Sequence, residues 1–166
     1  MENQKKIKRS CDVTLLQAYL KEESTIENCP RDITNMIEFY TILYMIALEN
    51  KETGKKLFDY TDHGISDSIY FLNEIGVEIS KMSDISDLSG LENFVYEYEP
   101  STLSNMLNEL SIQTSRLMNY VVSESEDAID RINSLFRSEY YDSIMMLNKL
   151  SLILAKIAKL NPHLYD

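Results

Sequence analysis

The chain has 166 residues, with 16 Lys and Arg against 27 Asp and Glu, a formal net charge of −11, two cysteines, no tryptophan, four glycines and three prolines. A β-sandwich or barrel of this length needs a turn about every 8–12 residues and the Gly and Pro to make them, so an all-β fold is excluded. Nucleic-acid binding needs a basic face, and a body of this sign repels phosphates, so direct nucleic-acid binding by the folded part is not expected.

The length fits one domain, large enough to bury roughly 70% of the surface of its extended chain. No apolar run approaches the ~18 residues of a membrane span. The basic N-terminus has no apolar segment behind it, which predicts a soluble, unprocessed protein. Cys11 and Cys29 form neither a CxxC pair nor a metal-finger spacing, and two cysteines are too few for a secreted disulfide framework. A reducing, cytoplasmic location is therefore expected. Abundant Asn, Ile, Lys and Tyr without Trp match the drift of an AT-rich bacterial, phage or viral genome.

In chain order, residues 1–10 are polar and basic and read as a mobile tail, leaving 11–166 as the helical domain. A first helix is predicted from Asp12 as N-cap, with Val13, Leu16, Tyr19 and Leu20 on one face, fading over 22–28. A second starts at Pro30, where Asp32 complements the helix dipole. Its apolar residues, from Ile33 to Ala47, cover nearly the whole circumference, which places it at the centre of a bundle. It is expected to end over Asn50–Gly54, and a short amphipathic turn with Leu57 and Phe58 follows up to Gly64. The next helix carries Ile65, Ile69, Leu72, Ile75, Ile79 and Met82, with Gly76 inside its stripe. A glycine there costs about 1 kcal/mol against Ala, so a close helix crossing is expected at Gly76.

Residues 83–100 break the pattern: Ser83, Asp84, Ser86, Asp87, Ser89 and Gly90 mark a loop. The alternation from Phe94 to Glu99 then reads as a short strand, an extended arm or one irregular helical turn. After Pro100, with Ser101 as N-cap, Leu103, Leu107, Leu110, Thr114, Leu117 and Val121 follow a 4-3-4-3-4 spacing, the most regular amphipathic helix of the chain. Met106, Ile112 and Met118 lie beside it and offer a second contact face. Ser123 with Glu126 fits a capping box. A helix over 124–160 would span about 55 Å at 1.5 Å per residue, too long for a compact domain, so a break is expected near Ser138. Asn161 and Pro162 stop the last helix.

The charge is unevenly placed. Between Asp59 and Asp142, 17 carboxylates stand against Lys81, Arg116, Arg131 and Arg137, a balance of −13. Such a body favours encounter with a basic partner, and it also serves solubility alone.

Catalytic signatures fail in turn. His63 and His163 are the only imidazoles, and no GxSxG elbow accompanies any serine. Neither HExxH, an ExxH pair nor an EF-hand loop occurs, and glycines 54, 64, 76 and 90 stand alone, so no phosphate cradle exists. No cofactor is expected. Asp127 and Asp130 share a helical face that could hold a hard cation, although capping and an Asp127–Arg131 pair account for the same residues.

These readings predict an all-α fold: a single compact helical bundle of about five to seven helices with an irregular 83–100 connection. The expected function is a non-enzymatic protein–protein interaction module, an acidic inhibitor or neutraliser of a protein with a basic surface, of counter-defence or toxin-immunity type. Its expected contact residues are Tyr96, Glu97, Tyr98 and Glu99, together with Glu124, Glu126, Asp127 and Asp130, because tyrosines bury area at low entropy cost while carboxylates steer a basic partner. The alternatives are a self-assembling helical subunit, which leaves a homodimer open, and a carboxylate–metal hydrolase built on Asp127 and Asp130.

Overall fold

The computed structural model describes residues 11–22, 26–49, 64–124, 130 and 139–162. These residues form six helices and no strand: α1 (Thr14–Glu22), α2 (Asn28–Glu49), α3 (Gly64–Ser80), α4 (Ser89–Tyr98), α5 (Pro100–Glu124) and α6 (Glu139–Leu160). The all-α bundle is thus the observed class. The expected tail over 1–10 and the turn around Leu57 and Phe58 lie outside the described residues, as does the break near Ser138.

Short-range chemistry sets the helix starts. The Asp12 carboxylate accepts the backbone N–H of Thr14 at 3.0 Å, and the Val13 carbonyl accepts the first bonds of α1 from Leu16 and Gln17. This bonding holds the Asp12 carboxyl below its ordinary range. Two further starts differ from expectation. Helix α2 begins at Asn28, so Pro30 falls inside its first turn, where a missing N–H costs nothing. In α5, Pro100 is the first residue, and the N-cap is Glu99 instead of Ser101, because the Glu99 carbonyl accepts the N–H of Leu103 at 3.0 Å.

The larger correction concerns 83–100. Ser89–Tyr98 is a helix, so the irregular stretch shrinks to residues 81–88 and Glu99. Leu91, Phe94 and Val95 are buried and Tyr98 packs beside them, a 3-1-3 spacing that wins over the alternation of Phe94, Tyr96 and Tyr98. The 81–88 loop is built on carboxylates: Asp84 accepts the N–H of Ser86, and Asp87 accepts both the N–H and the hydroxyl of Ser89. Gln17 ties the loop to α1 by donating to the Ile85 carbonyl. The expected capping box is also corrected, since α5 runs through to Glu124 and the Ser123 hydroxyl donates back to the Tyr120 carbonyl inside it.

Helices α2 and α5 form the middle of the molecule. Helix α2 packs on α3, α5 and α6; α5 packs on α2, α3, α4 and α6. The near-circumferential apolar surface of α2 buries Ile33, Met36, Phe39, Tyr40, Leu43 and Ala47, and its far side leaves Met45 and Leu48 exposed. The 4-3-4-3-4 stripe of α5 is buried in full, from Leu103 to Val121. Gly76 does mark a close crossing, because a Cβ there would meet Ile33 Cγ2 of α2 at 3.2 Å. Of the second face expected on α5, Met106 and Met118 are half-buried and Ile112 is exposed.

Helices α5 and α6 run antiparallel along a polar seam. The Ser104 hydroxyl donates to the Ser151 carbonyl at 2.8 Å, and the Ser151 hydroxyl donates to the Ser104 carbonyl at 2.9 Å. One further contact, from the Ser111 hydroxyl to Asn148 Oδ1 at 2.8 Å, fixes the same register. Among the described residues no buried side-chain nitrogen or oxygen lacks a hydrogen-bond partner. Helix α6 ends where Asn161 donates from its amide side chain to the Ile157 carbonyl. Its Oδ1 accepts the N–H of Asp12, which ties the end of α6 to the start of α1.

Candidate functional site

The side of the molecule formed by α3 and α4 concentrates both charge and aromatic surface. From Gly64 to Glu99 there are eight carboxylates and one cation, Lys81, which is bonded to Glu78 at 2.6 Å. The buried stripe of α3, including Ile65, Leu72, Ile75 and Ile79, turns Asp67, Tyr70, Glu74 and Glu78 away from α2. Helix α4 lies against α3 through its own stripe, which places Tyr98 and Glu97 beside that outer row.

Four rings form the floor of this face. Phe71 meets Tyr98 edge-on at 4.8 Å between centroids, and Phe94 lies 4.9 Å from Tyr98. Tyr70 stands edge-on to Phe71 at 5.3 Å. Such edge-to-face contacts hold ring orientation as well as burying area. Tyr70 is 51% exposed, so one ring of the group presents itself to solvent while its neighbours anchor it. Glu97 is the first cause that raises the Tyr98 phenol above its ordinary range, followed by desolvation, Tyr70 and Glu74, and a hydrogen bond to Tyr70 adds to the effect. Tyr98 therefore stays neutral at physiological pH and contributes a polar edge without a charge.

The expected contact residues separate on this geometry. Glu97 is exposed and Tyr98 belongs to the ring group, so both sit on this face. Tyr96 is half-buried against the core. Glu99 lies at the junction of α4 and α5, where its carboxylate accepts the hydroxyl of Ser101 at 2.7 Å and that of Thr102 at 3.4 Å. Its φ of 62° places a non-glycine residue in the left-handed region, and those bonds help to hold the strained turn. Asp130 is exposed and helical, whereas Glu126, Asp127 and the side chain of Glu124 lie outside the described residues, as do His63 and His163.

Sequence reading missed Tyr70 and Glu74. The signal lay in their place on α3, three and seven residues after Asp67 and off the apolar stripe.

A second concave region, an open cleft of about 650 Å³, lies where the starts of α1 and α4 meet the end of α6. Several of its polar groups are engaged internally: Asp12 with Thr14, Asp87 with Ser89, and Asn161 with Asp12. The Cys11 thiol beside it is pushed up to about 11 by desolvation, then by Asp12 and Glu92, which leaves a poor nucleophile. Among the described residues no group of three or more His, Cys, Asp or Glu could hold a metal ion, and no helix is long and apolar enough to cross a membrane. No family model, no curated protein and no solved structure matches this chain.

Proposed function

We propose that the chain is a non-enzymatic interaction protein that inhibits or neutralises a partner by docking that partner's basic surface on Tyr70, Glu74, Glu97 and Tyr98. The observation that carries this reading is the exposed Tyr70 ring, braced by Phe71 beside Tyr98 and flanked by carboxylates with little local cation to neutralise them. A rigid aromatic anchor surrounded by steering charge is the arrangement that concentrates binding energy in a small area. The reading includes a cytoplasmic site of action, which two buried thiols outside any disulfide pattern support.

The test is capture of proteins from cell extract by the immobilised chain, compared with the variants Tyr70→Ala and Glu74→Lys/Glu97→Lys. A partner bound through this face is retained by the wild type and lost or weakened about tenfold by either change, the scale of a hot-spot truncation. Its retention also falls as salt rises from about 50 to 300 mM, because exposed charges are screened over that range. Retention that ignores both salt and the variants overturns the proposal.

A further inference from the structure

We infer that the chain associates head to tail with a second copy of itself, the outward stripe of α6 in one copy seating on the α3–α4 face of the next. This rests on the docking role proposed above for that face and gives it a second occupant, one that competes with the basic partner. On α6 the residues at 145, 149, 152, 156 and 159 recur at a 4-3-4-3 spacing, opposite the buried Leu147, Leu150, Leu154 and Ile157. A helix packed on one side ordinarily keeps this outer row polar. Here Met145 is 55% exposed and Leu152 61%, the most exposed large apolar side chain among the described residues, and lysines alternate with them.

The matching face has the opposite character at a similar spacing. Asp67, Tyr70 and Glu74 recur along the outside of α3, with Glu97 alongside, while Glu78 of the same helix is mostly buried and bonded to Lys81. Laid against each other, the two rows oppose Lys156 and Lys159 to carboxylates and give Leu152 the exposed Tyr70 ring to cover it. Both helices are reachable at once. Helix α3 and helix α6 each pack on α2 and α5 and hardly on each other, so they occupy diagonal corners of the bundle. Two unlike faces on opposite sides produce a heterologous contact, which repeats until it closes into a ring or continues as a filament.

Sedimentation velocity of the full chain at about 50 mM salt, over a range of micromolar concentrations, tests this. The wild type is expected to gain mass with concentration, and Lys156→Glu/Lys159→Glu and Glu74→Lys/Glu97→Lys are each expected to weaken association at least tenfold while keeping a wild-type helical spectrum. An equimolar mixture of the two variants regains association as alternating copies, because the reversed α6 of one meets the reversed α3–α4 face of the other and their unchanged α6 and α3–α4 faces meet at the next contact. A wild type that stays monomeric overturns the inference, as does association that survives Glu74→Lys/Glu97→Lys. So does binding of the monomer to anionic lipid vesicles through α6 without self-association. If the wild type is monomeric yet still captures a partner in a Tyr70- and Glu97-dependent way, the docking face stands and the self-association alone falls.

Discussion

The Cys11 thiol sits just ahead of α1, buried and close to Asp12 and Glu92, and each of these disfavours the thiolate. Raising its pKa from near 9 to about 11 leaves on the order of one thiolate per ten thousand at pH 7. Native protein is accordingly expected to resist thiol reagents at pH 7–8, with both cysteines labelled once the chain is denatured. The same shift governs alkaline stability. In the folded state the proton stays on until about pH 11, whereas the unfolded thiol loses it near 9, so the stabilisation is complete below 9 and drains away between 9 and 11. Tyr40, pushed from near 10 up to about 12 by burial and by Tyr44, adds a second loss that begins about one pH unit higher. Melting curves from pH 8 to 11 should show Cys11→Ala with a shallower decline that starts near 10; a decline identical to wild type removes this account. Glu99 makes the complementary point. Read from the sequence it is a contact residue, and in the fold its carboxylate and its left-handed backbone belong to the α4–α5 turn.

Individual helices were legible in proportion to the regularity of their buried stripes. The stripe of α5 stood in the sequence as it stands in the structure, because every fourth or third residue is aliphatic or Thr and all of them bury. Helix α4 was masked by its aromatics, which fall at every second position and imitate a strand, while of the two aliphatics that complete the helical spacing Leu91 stands apart beside Gly90 and Glu92 and Val95 is enclosed by Phe94 and Tyr96. The serine seam between α5 and α6 was invisible, since serine is unremarkable on any helix and only the pairing shows that both hydroxyls are buried. Each reaches across to the other helix's carbonyl, already bonded within its own helix, so the exchange is a mutual reinforcement of two backbones. Ser104→Ala and Ser151→Ala should each cost about 1 kcal/mol in urea denaturation, the net worth of one intramolecular hydrogen bond. The double variant should cost measurably less than the sum, because the two hydroxyls also lie 3.3 Å apart and lose a shared environment together. Strict additivity would show that the two bonds act independently.

At the scale of the whole molecule the dominant quantity is charge, and its consequence depends on where it lies. Composition disclosed a net charge of −11, but the α3–α4 face exists only because tertiary packing brings Tyr70 and Glu74 beside Glu97 and Tyr98, residues more than twenty positions away. No local pattern could have joined them. The ion pairs described, Arg31–Asp32 at 3.6 Å and Lys81–Glu78 at 2.6 Å, join near neighbours in sequence with an exposed cation, and such pairs contribute little to stability. Helices α3 and α4 carry five carboxylates and no Lys or Arg of their own, and such a surplus of like charge destabilises the compact state through self-repulsion. Screening should relieve that repulsion while it weakens attraction to a basic partner. Raising sodium chloride from about 20 to 300 mM is thus expected to lift the melting temperature by roughly 2–4 °C, the shift that about 1 kcal/mol produces in a domain of this size, over the same range in which partner binding falls. A melting temperature that drops with salt would mean that attractive pairs outweigh repulsion, and the acidic face would then be a balanced surface with no surplus charge to offer a partner.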